Sequence, residues 1–160
     1  MNATGLCLES VSDKRWLGAF IRERWGEPGV VSRGKLRTGE ELSAIRATDG
    51  VELFGLASWC AEEGSVELVT IDSLRPGSGV GTALLDAVVG NARDARARRL
   101  WLITTNDNID ALRFYQRRGW RMAALHVRAI SESRKLKPSI PETGAYGIPI
   151  RDEIELGYPL

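Results

Sequence analysis

The chain has 160 residues, enough for one domain that buries a sizeable core. Hydrophobic residues make up 43% and charged residues 27%, and the net charge is +1, which excludes a disordered or collagen-like chain and gives no global field for nucleic acid or membrane. Cys7 and Cys60 are too few for a disulfide framework and lack metal-ligand spacing, which fits a reducing cytoplasm. Glu9 and Asp13 interrupt the N-terminal region and no long apolar run follows, so neither a signal peptide nor a membrane helix is expected.

In chain order, residues 6–11 read as a first strand. Ser12 or Asp13 can cap a helix over 14–25 whose apolar side is Trp16, Leu17, Phe20, Ile21 and Trp25, and Gly26, Pro28 and Gly29 end it. Residues 30–40 read as a loop or short strand carrying Arg33, Lys35 and Arg37. Strands at 42–48 and 51–61 are joined at Asp49-Gly50, a favoured hairpin dipeptide, and Glu63-Gly64 turns into a strand over 66–72. A glycine-rich turn leads into a helix over 80–98 with the stripe Val80, Leu84, Val88 and Ala92. Then come a buried strand at 99–104, a helix capped by Asn108 and stopped at Gly119, a strand at 120–128 and a last strand at 148–156. Nothing marks a second domain, so 1–160 reads as one, with a long Pro- and Gly-containing connection at 129–149 that suits a wall or lid.

The glycine-rich turn is Arg75-Pro76-Gly77-Ser78-Gly79-Val80-Gly81-Thr82. A helix N-terminus offers unpaired N–H groups and a positive dipole, and glycines let phosphate oxygens approach the backbone. A P-loop would need a Lys after its last Gly, but Thr82 follows Gly81. A dinucleotide fingerprint would need a Gly three residues after its second one, where Thr82 or Leu84 stands. In the second informative segment, Asn108, Ala111, Tyr115 and Gly119 are spaced three, four and four, which puts Ala111 and Tyr115 on one helix face.

These two segments at this separation resemble the signatures of the GNAT family of acyl-CoA-dependent N-acyltransferases. The first signature, Gln/Arg-x-x-Gly-x-Gly/Ala, matches at Pro76 to Gly81, with Pro76 in place of Gln or Arg and Arg75 supplying charge one residue earlier. The second, Asn-x-x-Ala-x-x-x-Tyr-x-x-x-Gly-Phe, matches at Asn108, Ala111, Tyr115 and Gly119, with Trp120 for Phe. The resemblance implies an α/β (α+β) fold: a mixed, mostly antiparallel sheet of about seven strands flanked by helices, whose strands before the two signature helices splay apart. It implies acetyl-CoA as co-substrate and no metal. The turn amides of Gly77, Gly79, Val80, Gly81 and Thr82, with Arg75, would hold the pyrophosphate. Val69 and Ile71 would pair with the pantetheine arm, Asn108 would bond it, and Tyr115 would face the sulfur.

The implied chemistry is attack of a small-molecule or peptide amine on a thioester. An amine with a pKa near ~10 must lose a proton, and a thiolate leaving group must gain one. Tyr115 is the candidate acid. Glu67, with Ser65, Val69 and Ile71 on one side of its strand, is the candidate base through a water. Asp152, in register with Ile150, Ile154 and Leu156, is a second candidate, though a structural pair is the commoner fate of such an acid. His126 carries no signal beyond a packed or surface histidine. Arg134 and Lys137 are the candidate acceptor contacts. A homodimer is compatible with the sequence, nucleic-acid and membrane partners are not expected, and a non-catalytic CoA-binding or regulatory module is the alternative function.

Overall fold

The computed structural model describes residues 5–160; the first four residues of the one-domain reading, and of the expectation that no leader is present, lie outside it. The strands are β1 (Cys7–Ser10), β2 (Val30–Ser32), β3 (Lys35–Arg37), β4 (Ser43–Thr48), β5 (Leu53–Glu62), β6 (Ser65–Ser73), β7 (Arg99–Thr105), β8 (Arg121–His126) and β9 (Glu153–Tyr158). The helices are α1 (Lys14–Trp25), α2 (Val80–Asp94), α3 (Ile109–Gln116) and α4 (Ala129–Leu136). Seven strands form one sheet in the order β1-β4-β5-β6-β7-β9-β8, while β2 and β3 form a hairpin of their own. Every pairing in the main sheet is antiparallel except β6 with β7. This is the mixed, mostly antiparallel sheet that the sequence implied.

Each face of the sheet buries one apolar cluster. On one side the stripe of α2 (Val80, Leu84, Leu85, Val88) packs on Ala57, Val66, Leu68 and Leu100, and α3 adds Leu112 and Tyr115. On the other side Leu17 and Ile21 of α1 pack on Leu42, Ala44, Leu56 and Val69. Asp13 caps α1 by accepting from the Trp16 amide at 3.0 Å.

Three differences from the sequence reading are larger than one or two residues. The α2 helix stops at Asp94 rather than continuing to 98, because Arg96 turns left-handed (φ 52°) and the Arg98 amide bonds Gly64 O at 2.8 Å, which draws the chain into β7. The last strand begins at Glu153 rather than at 148: the amides of Arg151 and Asp152 are both taken by Asn106 Oδ1, at 2.9 and 3.1 Å. The connection at 129–149 opens with α4, which buries Ile130 and Ser133. Among the described residues, no helix is long and apolar enough to cross a membrane.

Leu84 is fully buried, and its Cδ1 lies against Gly55 of β5, so it reports how tightly helix and sheet join. Leu84→Ala is expected to cost about 2–5 kcal/mol in urea denaturation. A loss well below 1 kcal/mol would show that this layer repacks freely.

Candidate active site

The sheet itself opens the site. β6 and β7 pair only over 65–68 against 99–102. Beyond Leu68, β6 follows β5 and β7 follows β9. The cause is a bulge. Ser58 of β5 faces Thr70 while Trp59 faces Leu68, so Val69 is an extra residue. A bulge bends its strand and increases the local twist, which carries β6 away from β7. Val69 therefore has no opposite residue on either neighbour. The bulge also breaks strict alternation. Val69 joins the α1 cluster, as the Glu67 register predicts, but Ile71 packs toward the α2 cluster, which corrects its expected side.

A cavity of about 500 Å³ occupies the gap. One half is lined by Ser73, Gly81, Asn108, Ala111, Phe114 and Tyr115. The other half is lined by Trp25, Val31, Ser32, Glu67, Ile130 and Glu153. Val69 and Ile71 lie along it between the two.

At the first half, Gly77 and Gly79 take left-handed conformations (φ 75° and 83°), which explains two of the glycines. A side chain at either would meet nothing within 4 Å, so the turn faces open space. The first backbone bond of α2 is Ala83 N to Gly79 O at 3.0 Å, which leaves the amides of Val80, Gly81 and Thr82 without a helical acceptor. Arg75 turns aside: it pairs with Glu52 and lies 3.8 Å over the Phe54 ring. The cation beside the helix start is Arg118, which the sequence reading did not single out. Its Nε bonds Thr82 Oγ1 at 2.9 Å and its guanidinium lies 3.8 Å over the Phe114 ring. Asn108 caps α3 through Oδ1, accepting from the Ala111 amide at 3.2 Å, so its side-chain N–H groups remain donors beside the cavity.

Tyr115 is 7% exposed. Burial, with a smaller contribution from the Asp72 charge, raises its phenol well above the ordinary value, so it is protonated at neutral pH. Asp72 is held by Trp25 Nε1 at 2.9 Å and Arg24 Nε at 3.4 Å. Glu67 is 3% exposed, and its Oε2 accepts from Arg37 at 3.3 Å. Arg37 also bonds Glu62 at 2.9 Å. Burial is the largest influence on Glu67 and pushes its carboxyl up; the nearby Ser32 hydroxyl and then Arg37 pull the other way without cancelling it.

The last strand does bring an acid to the cavity, but it is Glu153 rather than Asp152. Glu153 is 1% exposed and accepts from Arg33 N and Nη1 at 3.3 and 3.2 Å. Asp152 accepts from the Arg128 amide at 2.9 Å, at the start of α4. His126 lies 3.1 Å from Glu155 on the paired strands β8 and β9, outside the cavity lining. Arg134 is also outside the lining: it donates to the carbonyls of Ile140, Pro141 and Ile150. Lys137 does line the cavity, and its Nζ donates to Trp25 O. Burial lowers its pKa. Among the described residues no group of three or more His, Cys, Asp or Glu could hold a metal ion.

Comparison with known proteins agrees with this geometry. The family described as "Acetyltransferase (GNAT) family" matches residues 18–120. The "Uncharacterized protein YxbD" of Bacillus subtilis (strain 168) is 39% identical over 144 residues, covering 89% of this chain and 91% of its own. Among solved structures, a GNAT family acetyltransferase from Elizabethkingia anophelis with acetyl-CoA bound superposes with a TM-score of 0.75 at 17% identity, covering 98% of this chain and 99% of its own. A Bacillus subtilis acetyltransferase in complex with CoA superposes at 0.71 with 21% identity, covering 97% and 99%.

Glu67 is buried and the Arg37 side chain is only 12% exposed, so removing the arginine strands the carboxylate. Arg37→Met is expected to destabilise the fold by about 3 kcal/mol in urea denaturation. A change within about 0.5 kcal/mol would place this pair with ordinary surface ion pairs.

Proposed function

Because the chain belongs to the GNAT acetyltransferase family and is an acetyl-CoA-dependent acyltransferase, we propose that it acetylates a primary amine by direct attack, with Glu67 as base through a water and Tyr115 as acid. One observation carries this reading: a buried carboxylate and a buried, protonated phenol line the same cavity, at the point where β6 and β7 part.

Acetyl-CoA supplies the thioester. The free amides of Val80, Gly81 and Thr82 hold its pyrophosphate, Gly77 and Gly79 leave the approach open, and Arg118 contributes charge. Hydrogen bonds to charged groups are worth roughly 1.5–3 kcal/mol each, so a few approach the ~8 kcal/mol of micromolar binding. The unmatched peptide groups at Val69 and the Asn108 amide bond the pantetheine arm. Glu67 takes a proton from the ammonium through a water, which frees the lone pair that attacks the thioester carbon. A C–N bond forms and the C–S bond breaks. Tyr115 gives its proton to the departing sulfur, and the second proton lost from nitrogen restores the phenol.

CoA at millimolar concentration is expected to raise the melting temperature, since a ligand of the native state stabilises it by mass action. Gly79→Glu, which puts a carboxylate and a strained φ at the phosphate position, should abolish that shift. No shift in the parent protein would remove the proposed cofactor contacts.

Tyr115→Phe should lower kcat by ~10²-fold or more with CoA affinity nearly unchanged. The base must be ionised and its pKa is raised, so the acid limb of kcat/KM should lie above the ordinary glutamate range; Glu67→Gln should lose that limb and keep only the limb of the amine. Full turnover in both variants with an authenticated acceptor would exclude this assignment of acid and base.

A further inference from the structure

The chemistry above leaves one buried acid of the cavity unused. Among the described residues Glu153 has only Arg33 as partner, through contacts of 3.2 and 3.3 Å, and the Arg33 side chain is 41% exposed. A carboxylate has about four acceptor directions, so two long contacts do not fill it. The preceding residue, Ser32, is 4% exposed. Its hydroxyl sits beside the Glu67 carboxyl, yet among the described residues it completes no hydrogen bond. One dipeptide, Ser32-Arg33, thus reaches both buried acids, and Ser32, Glu67 and Glu153 line the same cavity. An orphaned buried hydroxyl costs about 1–3 kcal/mol and calls for a partner.

The surroundings narrow the ligand. Val30, Val31, Ile130, Ile140 and Ile150 give this half an apolar wall. The one cationic side chain in the lining, among the described residues, is Lys137, already bonded to Trp25 O. Carboxylate oxygens and a hydroxyl suit the three donors of –NH3+. An acceptor carboxylate would find no free partner here and would be buried at a cost.

We infer that Glu153 and Ser32 select the acceptor by its charge: they bind the ammonium of a primary amine carried on an apolar body without a carboxylate, an alkyl or arylalkyl amine rather than a free amino acid. The inference rests on the acetyl-transfer reading above, with Glu67 removing the proton from the cation that Glu153 holds.

The test pairs each amine with its amino acid, phenethylamine with phenylalanine and hexylamine with norleucine, and follows CoA release. The amine of each pair should react at least about tenfold better in kcat/KM, the worth of one charge-assisted hydrogen bond or more. Glu153→Gln keeps the shape of the side chain and should raise the KM for phenethylamine by about tenfold or more while leaving the KM for acetyl-CoA in place. Ser32→Ala removes a hydroxyl that completes no well-formed hydrogen bond among the described residues, so it should fold about as well as the parent and still raise the amine KM. Methoxyamine, a nucleophile neutral at pH 7, separates recognition from scaffolding: Glu153→Gln should cost its turnover several-fold less than that of phenethylamine. Equal losses for methoxyamine and phenethylamine, or amino acids that outperform their amines, would overturn the inference. Calorimetry of phenethylamine with the CoA-loaded protein distinguishes the two readings. No binding and no reaction, with the CoA melting shift present, sinks this inference alone. Glu153-dependent binding without acetyl transfer sinks the transfer reading and leaves this one.

Discussion

A single unmatched residue determines where the site lies. Val69 is one more residue than β5 can pair, and the bend it introduces ends the pairing of β6 with β7 after Leu68. The resulting gap does not close, because the bent strand is anchored on both faces. Val66 and Leu68 are buried against α2, and Val69 is buried in the α1 cluster. Closing the gap would require lifting one of these faces out of its core. The same bend brings the start of α2, the phenol of Tyr115 on α3 and the carboxyl of Glu67 around one space, although they come from elements far apart in the chain.

Within that space, burial outweighs pairing. Ser32 and Arg37 alone would depress the Glu67 carboxyl, yet burial leaves its pKa raised, so as the proposed base it would be stronger than an exposed glutamate. The phenol of Tyr115 is moved in the same direction, and this looks unhelpful for an acid. The leaving thiolate, however, would be released into the same apolar surroundings, where thiol pKa values also rise. Donor and acceptor are therefore displaced together, and the proton transfer between them is less unfavourable than the phenol alone implies. A solvated gap would lose this matching.

What the sequence revealed was local. The turn at 75–82 and the spacing of Asn108 and Tyr115 lie within single strand–helix junctions, and Glu67 needed only the strand before the turn. The features it hid depend on distant partners. Strict alternation predicts neither the Val69 bulge nor the start of β9, so the reading placed Ile71 on the wrong side and stopped one residue short of Glu153. The α4 helix has only Ile130 and Ser133 buried, too few to show a period next to the prolines at 138 and 141. Arg134 carried the charge of an acceptor ligand, but the irregular chain at 140–150 leaves carbonyls that need donors, and Arg134 supplies them. Arg118 was one more basic residue at a helix end until Thr82 and Phe114 were seen beside it.

The two walls around the acceptor half are held by different forces, and this divides their roles. The segment after α4 is tied to the β7–α3 corner by backbone groups: Asn106 takes the amides of Arg151 and Asp152 and gives to Pro149 O at 2.9 Å, while Asp107 takes the Ala145 amide at 2.9 Å. Losing either side chain takes away the bonds that tie this segment to the corner, so changes there act on the fold first. The opposite wall is the β2–β3 hairpin, which belongs to a separate sheet. Its side chains reach the main sheet through Arg33 on Glu153, Arg37 on Glu67 and Glu62, and Lys35 on Glu62. Glu67 and Glu153 are the carboxylates that the proposed cationic acceptor would approach, so an ammonium in the cavity would compete with the arginines bonded there. In that reading recognition and hairpin position share one electrostatic balance, while the stitched wall behind α4 supplies a fixed apolar surface against which that balance is struck.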